Sequence, residues 1–129
     1  MKLRILGNAI RLRLKRNEVE LIASGKPVVE KTQFAGSTFI YCLTVEDGVE
    51  YSAHFSGAKM TIGLPAREAI GWAQGTEVSL RVEHETGGDS PLTLLIEKDF
   101  QCLSPDDNRS AIDDDDTFSH PLADTGGAC

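Results

Sequence analysis

Residues 1–14 read Met1-Lys2-Leu3-Arg4-Ile5-Leu6-Gly7-Asn8-Ala9-Ile10-Arg11-Leu12-Arg13-Leu14. Apolar and polar residues alternate on both sides of a Gly7-Asn8 break, which is the pattern of two strands joined by a two-residue turn. Glycine at the first central position suits a type II′ turn. In that register Ile5 faces Ile10, Leu3 faces Leu12 and Met1 faces Leu14 on one side of the hairpin. The other side sets Arg4 opposite Arg11 and Lys2 opposite Arg13. Like charges directly across a ladder are destabilising. Four cations on one small face therefore call for an anion, unless the face is simply solvated with its side chains splayed outward.

The pattern returns fifty residues later. Without a gap, Gly7, Leu14, Glu18, Ala23, Gly25 and Val28 recur as Gly57, Leu64, Glu68, Ala73, Gly75 and Val78. Pairing about Gly57-Ala58 sets Phe55 against Met60, Ala53 against Ile62 and Tyr51 against Leu64. The other face of this second hairpin carries Ser52, His54, Thr61 and Gly63, so the copy lacks the basic cluster. The identities coincide with hairpin, helix and strand positions in both copies, which is the mark of an internal duplication.

Between and after the hairpins the chain continues in the same rhythm. Asn17 with Glu20 reads as a capping box for a short helix from about Glu18 to Ser24, stopped at Gly25. A strand from Pro27 to Phe34 follows, then one from Phe39 to Val45. A three-residue Glu46-Asp47-Gly48 loop is expected to fold this strand onto the next hairpin, pairing Val45 with Val49, Leu43 with Tyr51, Tyr41 with Ala53 and Phe39 with Phe55. Pro65 opens a second helix running to about Ala73 and ending at Gly75. Trp72 on that helix is expected in the core. Strands from Glu77 to Glu85 and from Leu92 to Lys98 complete the second half. The expected fold is α+β and mostly β, with duplicated ββαββ halves forming a small closed or half-closed barrel with two short helices. Residues 1–103 form this domain, with halves about 1–48 and 49–103, and residues 104–129 are a tail.

Composition sets the class. At 129 residues, 40% apolar and 26% charged, the chain is an ordinary globular domain. No stretch approaches the roughly 20 apolar residues of a membrane span, and the charged opening is no signal peptide. Three cysteines, an odd number at wide spacing, do not suggest a disulfide scaffold and make the cytoplasm the expected location. The net charge is −7, but residues 1–34 carry eight Lys and Arg against three Glu. Residues 104–129 carry seven Asp and one Arg. An acidic chain is a poor nucleic-acid binder, while a local basic face suits a small anion.

The opening through Leu14, together with Glu97-Lys98-Asp99-Phe100, resembles an uncharacterised bacterial family of short proteins. That family shares the hairpin, the Glu-Lys-Asp-Phe strand end followed by Cys-Leu, and an acidic tail with a Phe-x-x-Pro. It has Ser at the position of Ala9 and Asn at that of His120. The resemblance implies a shared fold and no particular chemistry.

Other chemistry finds weaker footing. Cys102, His120 and Cys129 offer sulfur and nitrogen ligands suited to zinc, but without a paired ligand spacing. Cys42 and His54 project on one face and could approach diagonally as an activated thiol, without a third group to orient them. The residues thus point to a non-enzymatic binding or regulatory module whose ligand face is Lys2, Arg4, Arg11 and Arg13. Its partner would be an anionic small molecule or an acidic protein segment. In the alternative, the acidic tail covers that face or mediates a homodimer. No cofactor is specified.

Overall fold

The computed structural model describes residues 1–100. Eight strands and two helices follow in the order β1 (Lys2–Leu6), β2 (Ala9–Leu14), α1 (Arg16–Ala23), β3 (Val28–Gln33), β4 (Thr38–Glu46), β5 (Ser52–Ser56), β6 (Lys59–Pro65), α2 (Ala66–Gln74), β7 (Ser79–His84) and β8 (Leu92–Lys98). The two halves have the same ββαββ order, and residues Met1–Asp99 form one compact unit.

Each half divides its strands between two sheets. The first sheet runs β1-β2-β8-β7 and the second β3-β4-β6-β5. The leading hairpin of each half therefore joins the trailing hairpin of the other, through parallel central pairs β2–β8 and β4–β6. Helices α1 and α2 carry the chain from one sheet to the other and pack together. The two sheets remain separate, so the expected barrel closure is not formed. The expected ladder between β4 and β5 is also replaced. β4 takes β3 on one edge and β6 on the other, and β6, locked to β5 by its own hairpin, lies between β4 and β5. This arrangement puts the most apolar strands at the centre of each sheet, where both edges and one face are buried.

Both hairpins have the expected register. Leu3 pairs with Leu12, Ile5 with Ile10, Arg4 with Arg11 and Lys2 with Arg13; Ala53 pairs with Ile62 and Phe55 with Met60. Their tips differ. Gly7 alone is at positive φ (58°), as the II′ turn requires, whereas Gly57 and Ala58 are both positive (58° and 62°), the I′ pattern.

Helix α1 begins two residues earlier than its sequence suggests. Its N-cap is Lys15, whose N–H donates to Glu18 Oε1 at 2.9 Å, so the capping carboxylate is Glu18 rather than Glu20 and Asn17 lies inside the helix. At the other end Gly25 (φ 78°) donates to Ile22 O and Lys26 N to Leu21 O, which is a Schellman motif. Pro65 is the N-cap of α2 and not its first turn.

One core lies between the sheets and beneath the helices. Leu12, Leu14, Leu94 and Ile96 of the first sheet meet Val28, Leu43, Met60, Ile62 and Leu64 of the second, with Ile22, Ala69 and Trp72 from the helices. Trp72 is buried as expected, and its indole N–H donates to Val78 O at 3.1 Å. Lys98 Nζ lies 5.4 Å above the indole ring and donates to Gly75 O at 2.9 Å.

Candidate functional site

The strand pairing places Lys2, Arg4, Arg11 and Arg13 together on the outward face of the first sheet. β1 and β2 alternate strictly, so their core faces hold Leu3, Ile5, Ile10 and Leu12 and their outer faces the cations. The parallel neighbour β8 adds what the hairpin alone does not reveal. Opposite Arg13 stands Glu97, and opposite Arg11 stands Leu95. Arg13 donates through Nε and Nη2 to Glu97 Oε1 at 3.4 Å, and Arg11 Nε lies 3.6 Å from the same oxygen. Lys2 Nζ is 3.5 Å from Asp99 Oδ2. Arg4 is exposed at the end of the next row, which continues across Arg11 and Leu95 to Arg81 on β7. Arg81 in turn pairs with Glu83 at 3.3 Å.

Glu97 thus relieves the like-charge pairing that the hairpin register imposes. One carboxylate serves two guanidinium groups, and a second serves the ammonium.

A second polar centre lies at the start of the chain and was not legible from spacing. The Met1 ammonium is buried and donates to Glu18 Oε2 at 2.6 Å and Glu30 Oε2 at 2.7 Å. Tyr41 OH donates to Met1 O at 2.9 Å. Burial pushes the Glu18 carboxyl up, but hydrogen bonds from the ammonium and from Lys15 N–H, with their positive charges, outweigh it and hold its pKa below the ordinary value. Burial, then the charges of Glu30 and Glu18, raise the Tyr41 phenol. In the second half Tyr51 OH donates to Glu68 Oε1 at 2.6 Å, and burial with that hydrogen bond raises its phenol strongly. Glu18 and Glu68, identical across the duplication, thus accept a hydrogen bond from the first residue of their respective hairpins.

The outward face of the second sheet separates the proposed thiol pair. Cys42 and His54 both sit opposite Thr61 on the intervening β6, from either side. They are two strand spacings apart, about 9.5 Å, and no Cys–His contact forms. Cys42 is buried with its Sγ 3.5 Å from Thr61 Oγ1. Cys102, His120 and Cys129, and the tail from Ser104, lie outside the described residues. Among the described residues no group of three or more His, Cys, Asp or Glu side chains could hold a metal ion, and no helix is long and apolar enough to cross a membrane.

A search of curated proteins and one of solved structures each return no match. A family model does match, over residues 1–122, so it takes in the whole duplicated domain. The chain belongs to that family, a family of unknown function, DUF7009.

Proposed function

We propose that the protein is a small non-enzymatic binding module that takes an anionic ligand on the outward face of its first sheet, through Lys2, Arg4, Arg11 and Arg13. The observation that supports this reading is the sharing of Glu97 between Arg11 and Arg13, with Lys2 against Asp99. A guanidinium fork bound to a single carboxylate oxygen keeps donors for a second anion. The donors also lie on a rigid sheet, with backbones held by ladders on both sides of β2. Cysteine usage supports a reducing cytoplasm as its location.

Titration with inorganic pyrophosphate tests the reading. Wild-type protein should bind it saturably, with an affinity that falls as salt rises. Replacing Arg11 and Arg13 together by Gln removes two charge-assisted contacts worth about 1.5–3 kcal/mol each, so affinity should fall at least tenfold while the melting temperature moves little. Equal binding by the variant would sink the assignment.

A further inference from the structure

The acids around the Met1 ammonium specify what they are built to hold. The nitrogen sits 2.6 Å from Glu18 Oε2 and 2.7 Å from Glu30 Oε2, and the Tyr41 hydroxyl donates to the carbonyl of the same residue at 2.9 Å. Glu18 comes from α1, Glu30 from β3 and Tyr41 from β4, while Met1 leads into β1. Through this one residue the first sheet is tied to α1 and to the second sheet.

Two carboxylates converging on one nitrogen call for a cation with several donors. An ammonium supplies three N–H groups and a charge. An acylated nitrogen supplies one N–H and no charge. One carboxylate would then lose its partner and both their counter-charge, at a place where Met1 and Glu18 are buried.

The duplication supplies an independent comparison. Tyr51 stands fifty residues after Met1 and takes its place against the repeated glutamate, with a neutral hydroxyl donating to Glu68 Oε1 at 2.6 Å. There a peptide bond from Glu50 runs through the position, and the strand partners have changed. Counted from the corresponding central pairs Leu12–Ile96 and Ile62–Leu43, Glu30 opposite Tyr41 matches Val82 opposite Leu94. Leu94 is a core residue and Val82 packs against the core. The second acid and the tyrosine thus accompany an amine, and apolar residues replace both where the backbone nitrogen is an amide.

We infer that Glu18, Glu30 and Tyr41 form a socket for the free α-amine of Met1, and that acylation of this amine by a formyl or acetyl group empties the socket and loosens the first sheet from the second. Met1 is then a modification site at which the state of one amino group controls assembly of the fold.

The test compares full-length protein bearing a free Met1 amine with the same chain bearing a formyl group on Met1, which leaves every lysine untouched. The formyl protein should melt about 10 °C or more below the free form. With Glu18→Gln and Glu30→Gln together the order should reverse, because the ammonium then lacks a counter-charge and the formyl amide needs none. If that variant does not fold, Glu30→Gln alone, at the more exposed of the two acids, should narrow the gap. In native wild-type protein a limiting dose of acetic anhydride should label the Met1 amine about tenfold or more slowly than in the urea-unfolded chain. Equal melting of the free and formyl proteins would overturn the inference. So would an undiminished formyl effect in the Gln variants, which would make the formyl group a steric intruder alone. Labelling of Met1 at one rate in native and unfolded protein would overturn the socket itself.

Discussion

Four positions at the base of each sheet correspond through the duplication. In the first sheet they are Lys2, Arg13, Glu97 and Asp99; in the second they are Ser52, Gly63, Thr44 and Glu46. The first set is a lattice of opposite charges. In the second, a lone carboxylate folds back over the sheet, with Glu46 accepting hydrogen bonds from Thr44 Oγ1 at 3.0 Å and Ser52 Oγ at 3.2 Å. A Cβ on Gly63 would collide with that carboxylate and with Ser52 Oγ, so Gly63 is what gives Glu46 room. Beneath these divergent surfaces Leu14 and Leu64 are both fully buried, and Leu12 and Ile62 match in burial. Packing has kept the two halves alike where burial constrains them, and the solvent-facing positions have been free to acquire different chemistry.

The largest effect expected from breaking this symmetry lies in the core. Leu14→Ala and Leu64→Ala should each cost about 2–5 kcal/mol, and by similar amounts, as measured by urea unfolding. A clear inequality would mean that the halves do not share the core evenly.

Next comes the Glu18 and Glu68 pair. Glu18→Gln leaves a buried ammonium with one carboxylate fewer and should cost about 1–3 kcal/mol at pH 7, whereas Glu68→Gln should cost less. Because the folded pKa of Glu18 is depressed, its ionised form contributes stability above its unfolded pKa, and this is lost as pH falls through the folded value. The gap between wild type and Glu18→Gln should therefore narrow on acidification below about pH 4.3. A gap independent of pH would remove the charge from the explanation.

The hairpin tips give a smaller difference of opposite sign. Ala58 holds φ 62° without a glycine's freedom, so Ala58→Gly should raise stability by about 1 kcal/mol. Asn8→Gly should lower it, because Asn8 Nδ2 donates to Pro91 O at 2.8 Å. Thermal melts of both variants read the sign directly.

The smallest effect is electrostatic. Glu97→Gln should cost under about 1 kcal/mol at moderate salt and more in dilute buffer, where Arg11 and Arg13 repel each other unscreened. Thr44→Val, at the matching position, should show no such salt dependence. Melting both over a range of sodium chloride concentrations distinguishes them.

Much of the frame could be read from residue order alone. Alternation around Gly7-Asn8 and Gly57-Ala58 gives both hairpin registers, and the fifty-residue recurrence gives the two halves. The assembly of the halves was hidden because Glu46-Asp47-Gly48 looks like a hairpin loop, and adjacency along the chain favours pairing β4 with β5. Nothing local to β4 announces a parallel partner in β6. The same gap affects the basic face: its cations are visible in two neighbouring strands, but Glu97 reaches them from a strand 84 residues away from Arg13. Glu18 was recognisable as a repeated residue, yet its partner ammonium is 17 positions distant and Glu30 meets that ammonium from 29.

The interleaving of the strands also sets a timetable. The second sheet uses only residues 28–65, a continuous stretch, while the first needs strands from both ends of the domain, residues 2–14 and 79–98. During synthesis the opening hairpin must wait, its inner leucines uncovered, until β8 has been made, and closure over so long a separation is slow. Pulsed hydrogen exchange during refolding should protect amides of β4 and β6 before those joining β2 to β8. The strands made first would thus be among the last to become secure.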